Sequence, residues 1–268
     1  MDLVRRCAEA LSLVRKKKPL VHHITNIVAA NDSANAMLAL GALPVMAFAQ
    51  EEVEEMVAQA QALVVNLGTL TVNLVESALK AGKRANDLGI PVVLDPVGAG
   101  ATRFRTESAL FFLHRIRVTI LRGNVGEIKA LLGLSSRMRG VESEEDEANR
   151  ASIAREAGGT FSTVSVVTGA VDFVSDGTRV VAVHNGHPML TRVTGTGCVA
   201  TSLCGAFVGA VGDPFLASLA ALGFLGVCAE RAISFATGPG SFRMHLFDAM
   251  YTLQEDEFAE KLCLEVFQ

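Results

Sequence analysis

The sequence predicts an α/β fold: a doubly wound, mostly parallel sheet flanked by helices, with an antiparallel edge. Three observations carry this reading. Short β-branched runs alternate with segments whose apolar residues recur three and four positions apart. Half of the 268 residues are apolar and only 19% are charged, enough apolar surface to cover both faces of a sheet. Late in the chain, two extended segments flank Asp176-Gly177, a pair suited to a hairpin turn. With no fixed-period repeat, low-complexity tract or Pro/Ser-rich linker, residues 1–268 read as a single domain.

Taken in order, the opening residues Leu3 and Val4 fall at helical spacing rather than in one apolar block, unlike a secretory leader. The run Arg15-Lys16-Lys17-Lys18 suits the solvated, negative end of that first helix. His22 and His23 are adjacent on a strand, so they point to opposite faces and cannot readily share a metal; packing and backbone hydrogen bonding are the roles expected of them. Buried parallel strands are expected at residues 43–47, 62–67, 90–94, 118–121 and 163–167. Amphipathic helical segments at 51–61, 71–88 and 125–132 lie between them. Residues 135–150, rich in Glu and Asp, read as an exposed connection and helix start. Segments 171–175 and 179–184 form the hairpin. Two charge-free runs, 193–212 and 215–229, resemble a membrane hairpin in composition, but the first holds five glycines and the second only fifteen residues. About 20 are needed to span hydrocarbon, so two buried helices are expected instead.

A formal net charge of −4 and the absence of any longer basic block give no footprint for nucleic acid. The five cysteines are odd in number and widely spaced, without a Cys-x-x-Cys pair, which signals neither a disulfide framework nor a zinc site and fits a reducing cytoplasm.

In open α/β sheets ligands bind beyond the carboxyl ends of the strands, so polar residues just past a strand carry the most weight. Val193-Thr194-Gly195-Thr196-Gly197-Cys198 leads into a helix. Free amides and the positive end of the dipole there suit an anion, and Gly195 and Gly197 allow close approach. A glycine-rich cap packed in a core is the alternative. Asp95 follows the strand at 90–94 and precedes Pro96-Val97-Gly98-Ala99-Gly100, a position suited either to a magnesium-associated carboxylate or to a turn cap. After the next strand, Arg122 offers a guanidinium for phosphate, Asn124 an amide and Glu127 a carboxylate. Asn124 and Glu127 also have the spacing of a capping box, and both readings can hold together. Thr168-Gly169 borders a further strand end. A P-loop is absent, and Gly98-Ala99-Gly100-Ala101-Thr102-Arg103 has Arg103 where a dinucleotide fingerprint needs its third glycine.

Read together, the blocks His22–Asn26, Gly41–Met46, Asn66–Leu70, Asp95–Ala99, Arg122–Glu127 and Asn185–Cys198, in this order, resemble the hydroxyethylthiazole kinase family of the ribokinase-like superfamily. The resemblance covers nearly the whole chain. It implies transfer of phosphate from ATP to 4-methyl-5-(2-hydroxyethyl)thiazole, giving the thiazole phosphate used to make thiamine phosphate. Carried over by position, Met46 and Gly195 contact the thiazole alcohol, Asn26 and Gly68 line the same pocket, and Arg122, Thr168 and Asn124 meet ATP. Asp95 and Glu127 associate with Mg2+, and Gly195, Gly197 and Cys198 surround the transfer. Similar enzymes are homotrimers with active sites between subunits.

Many ribokinase-like enzymes have an aspartate base where this chain has Cys198. A thiol near its reference pKa of about 8.5 is mostly protonated at neutral pH unless the helix start lowers it. Since phosphoryl transfer has a loose transition state, Cys198 is expected to position the alcohol rather than serve as an essential base. Three rivals remain: a kinase of hydroxymethylpyrimidine, a thiol hydrolase or acyltransferase using Cys198 with His184 or His187, and a non-catalytic metabolite sensor.

Overall fold

The computed structural model describes residues 3–134 and 147–267; most of the acidic stretch expected to form an exposed connection, residues 135–146, lies outside them. Six strands are parallel: β1 (Leu20–Ile24), β2 (Leu43–Met46), β3 (Ala62–Asn66), β4 (Val92–Asp95), β5 (Ile120–Asn124) and β6 (Val164–Thr168). The antiparallel edge is β7 (Asp172–Ser175), β8 (Val180–Val183) and β9 (Leu264–Phe267). The sheet runs β2-β1-β3-β4-β5-β6-β7-β8-β9. Because β1 lies between β2 and β3, the winding reverses beside it, the place where open α/β sheets bind ligands beyond the carboxyl ends of their strands.

Inner strands read as continuous apolar runs because both faces are covered. Val21, Val64, Val93 and Ile120 point into one core. It is closed by α1 (Leu3–Lys17), α2 (Ala30–Leu40), α8 (Thr196–Val211), α9 (Pro214–Ile233), α10 (Pro239–Thr252) and α11 (Glu255–Lys261). Leu63, Val65, Leu94 and Leu121 point the other way, into a core beneath α3 (Val53–Val57), α4 (Val72–Asp87), α5 (Arg103–Arg115), α6 (Val125–Leu131) and α7 (Glu147–Phe161).

Three local expectations change. The helix expected over 51–61 is the single turn α3, with only Val53 and Val57 buried, too short a stripe to hold a longer helix against the sheet. Strand β9 had no signal strong enough to be read; it lies at the sheet edge with Val266 68% exposed. The second apolar run forms a helix of 20 residues, long and apolar enough to cross a membrane by length and composition alone. Its burial, not its length, distinguishes it: 83% of its apolar window is packed inside the fold. Gly226 illustrates the closeness of that packing, since a Cβ there would lie 2.6 Å from the Asn185 backbone.

Candidate active site

The carboxyl ends of β1, β3, β4, β5 and β6 converge on the start of α8 through one chain of polar contacts. Just beyond β1, Asn26 turns the backbone into α2, its Oδ1 accepting from the amides of Val28 (3.1 Å) and Ala29 (2.9 Å). Its Nδ2 donates to Asn66 Oδ1 at the end of β3 (2.7 Å) and to the Cys198 sulfur (3.3 Å). Asn66 stands beside Asp95 in register, and its Nδ2 donates to Asp95 Oδ2 (2.8 Å). The same carboxylate oxygen accepts from Thr201 Oγ1 on α8 (2.7 Å) and lies 3.6 Å from Arg122 Nη1. Arg122 Nη2 donates in turn to Thr168 Oγ1 (2.7 Å).

Glycines make the approach possible. Gly68 abuts Asn26, where a Cβ would sit 2.8 Å from three side-chain atoms. A Cβ on Gly197 would fall 2.8 Å from Arg122 Nη1, so this glycine lets the guanidinium lie against the first turn of α8. The helix is capped by Gly195 at φ +83°, a left-handed conformation with no side-chain cap, and its first internal bond runs from Val199 N to Gly195 O (2.9 Å). The amides of Thr196, Gly197 and Cys198 precede that bond and need partners from outside the helix.

Electrostatically the site is a buried pair beside an unfinished valence. Burial pushes the Asp95 carboxyl up to about 6, while Arg122, Thr201 and Asn66 pull against that shift. Burial alone would lower Arg122, but Asp95 and Glu127 hold its guanidinium above the ordinary value. Asp95 Oδ1 is buried and has no hydrogen-bond partner among the described residues. An orphaned carboxyl oxygen of this kind calls for a missing donor or cation.

Asn124 and Glu127 form a capping box: Glu127 N donates to Asn124 Oδ1 (2.9 Å), and Asn124 N to Glu127 Oε2 (2.8 Å). The other Glu127 oxygen accepts from Gly98 N (2.8 Å), which ties α6 to the loop after β4. Burial first, then Asp95, raises the Cys198 thiol pKa above its ordinary value. The pH-7 thiol is protonated. His184 Nε2 lies 2.8 Å from Glu265, and His187 Nδ1 accepts from Met189 N (3.1 Å), so both histidines of the hydrolase reading have partners away from the sulfur. His22 and His23 are fully buried and bond the carbonyls of Ala47 (2.8 Å) and Val21 (3.0 Å), the packing role expected of them. Met46 ends β2 opposite His23 in register, at the same edge of the sheet but outside the hydrogen-bonded chain.

A model of the hydroxyethylthiazole kinase family matches residues 11–256. The hydroxyethylthiazole kinase of Pyrococcus furiosus is 52% identical over 259 residues, covering 96% of this chain and 97% of its own. The chain belongs to the hydroxyethylthiazole kinase family. A solved hydroxyethylthiazole kinase structure from Pyrococcus horikoshii OT3 superimposes with a TM-score of 0.91 at 48% identity, covering 98% of this chain and 99% of the other. A ribokinase-like superfamily protein from Enterococcus faecalis, 12% identical with a TM-score of 0.62 over 88% of this chain and 87% of its own, shares the fold. Family membership makes the chain a kinase and makes ATP its phosphoryl donor.

Within this kinase, two members of the polar chain escaped the reading of single motifs. Asn66 was visible only as part of a resemblance block, and Thr201 looked like one more small residue in an apolar helix. A signal existed for Thr201: it lies four residues after Gly197, one turn along the same helical face.

Proposed function

We propose that this chain transfers the terminal phosphoryl group of ATP to the primary alcohol of 4-methyl-5-(2-hydroxyethyl)thiazole, in thiamine salvage. The observation that carries the reading is the convergence of Asp95, Arg122 and Thr168 on the uncapped start of α8, with Cys198 and Asn26 directly alongside. Arg122 and Thr168 orient the ATP phosphates, with the exposed amide of Asn124 beside them. The amides after Gly195, including those of Gly197 and Cys198, receive charge on the group in transit. Asn26, Gly68, Met46 and Gly195 hold the thiazole alcohol, and the protonated Cys198 positions its hydroxyl. With a loose transition state, alignment and charge neutralisation supply most of the rate, so no strong base is required.

The same site suits Mg2+ bound mainly through phosphate oxygens. Among the described residues no group of three or more His, Cys, Asp or Glu side chains could hold a metal without such help. Asp95 contributes its unpartnered Oδ1. Glu127 already spends both oxygens on backbone amides, so its part is through bound water. The ion would neutralise charge on the transferring phosphate.

A homotrimer with shared sites follows from the same reading. Ile27 and Val28, next to Asn26, are 82% and 61% exposed, an apolar rim that a neighbouring subunit would cover. Met46 would then act across the boundary from another chain's Cys198. The free cysteines fit a cytoplasmic setting.

An assay with Mg2+ and ATP, offering the thiazole and hydroxymethylpyrimidine alcohols in competition, tests the proposal. Mass spectrometry should find the thiazole phosphate as the main product. Predominant phosphorylation of the pyrimidine would reverse the substrate assignment, and absence of any phosphorylated alcohol would refute it.

A further inference from the structure

The glycine loop that fails as a dinucleotide motif has a partner on the next helix. Gly98 (φ +78°) and Gly100 (φ +89°) are both left-handed, and a Cβ on Gly98 would lie 2.9 Å from Arg105 Cδ. Arg105, in the first turn of α5, fills that space and directs its guanidinium between two loops. Nη1 donates to Val97 O (2.8 Å) in the loop after β4 and to Leu67 O (2.9 Å) in the turn after β3; Nη2 donates to Gly68 O (2.6 Å).

Each end of this bridge reaches a different half of the site. On one side Gly68 packs against Asn26, and its amide donates to Asn66 Oδ1 (2.9 Å). On the other, the amide of Gly98 is held by Glu127, and the loop begins at Asp95. A planar guanidinium can satisfy three carbonyls in two directions at once, whereas a lysine ammonium offers a single point of attachment.

We propose that Arg105 is a positioning residue that fixes the distance between the acceptor-side turn at Leu67-Gly68 and the phosphate-side loop at Val97-Gly98. The assignment rests on the proposed kinase reaction, in which Gly68 borders the alcohol and Asp95 the phosphate. Without the bridge the two loops move independently. Acceptor alignment is lost, while ATP, held by Arg122 and Thr168 on β5 and β6, is not.

Two variants of the full chain, Arg105→Met and Arg105→Lys, test this, with Arg103→Ala as control because Arg103 is exposed and pairs along its own helix with Glu107 (2.7 Å). Hydrogen exchange needs no substrate: in Arg105→Met, segments 67–71 and 96–101 should both exchange at least ~5-fold faster while β3 and β4 keep their protection. In turnover, KM for the thiazole alcohol should rise ~10-fold and kcat fall ~10-fold, with KM for ATP within ~3-fold of the parent. Arg105→Lys should recover only part of this loss, and Arg103→Ala should match the parent in every measurement. Unchanged exchange in either segment, equal shifts of both KM values, full activity in Arg105→Lys, or global unfolding of both variants would each overturn the positioning role. If the parent enzyme itself ignores the thiazole, the substrate assignment fails, and the exchange data still decide whether the bridge exists.

Discussion

Two of the helices that start at the carboxyl edge of the sheet start in opposite ways. Helix α6 follows β5 without an intervening residue and closes its own end: Asn124 takes the amide of Glu127, and Glu127 takes the amide of Asn124. Helix α8 starts at a glycine with a left-handed φ and no side-chain cap. Since a capping box consumes donors that a glycine cap leaves free, the contrast suits the first junction to stability and, in the proposed reaction, the second to anion binding. Arg122 joins them, leaving β5 two residues before the α6 cap and lying against Gly197 in the first turn of α8.

Substitutions at the two junctions should therefore separate into losses of rate and losses of stability. The largest effect is expected from Arg122→Met, which removes the cation between Asp95 and Thr168; kcat/KM should fall ~10²–10³-fold with the fold intact by circular dichroism. A fall below tenfold would mean that the phosphates are held elsewhere. Next comes Gly197→Ala, whose added carbon must displace the guanidinium: steady-state kinetics should show a ~10–100-fold loss of kcat with little change in melting temperature. At the closed junction, Asn124→Ala should cost about 1 kcal/mol in urea unfolding and raise KM for ATP only a few-fold. If its kinetic loss exceeded that of Gly197→Ala, the division of labour between the helices would be wrong. The smallest effect belongs to Cys198→Ala, which should keep turnover within ~10-fold, and Cys198→Asp should be tolerated or improve it. Because burial and Asp95 raise the thiol pKa, the Cys198→Ala rate profile should follow the parent's between pH 6 and about 8; an ascending limb present in the parent alone would make the sulfur a base.

Local chemistry was the legible part of this sequence. The inner strands showed themselves as unbroken β-branched runs because both faces are buried, and Asn124-x-x-Glu127 announced its cap because a capping box is complete within four residues. What escaped depends on partners distant in sequence. Asp95 meets Thr201 across 106 positions and Asn66 across 29. Arg105 reaches back 38 residues to Leu67, and no spacing in the chain announces that contact. The state of Cys198 was open for a related reason. A helix start pulls a thiol pKa down and burial pushes it up, and the burial and the Asp95 carboxyl that raise this one come together only in three dimensions. Length misled at α9, where the apolar run continued past its first charged residue to fill 20 positions.

The most direct measurement is a crystal structure of the enzyme with Mg2+, a non-hydrolysable ATP analogue and the thiazole alcohol. The terminal phosphate should lie within hydrogen-bonding distance of the Gly197 and Cys198 amides and of Arg122, with the alcohol oxygen between it and the Cys198 sulfur. A terminal phosphate seated on the α6 junction, or an alcohol bound away from Asn26 and Cys198, would contradict the account.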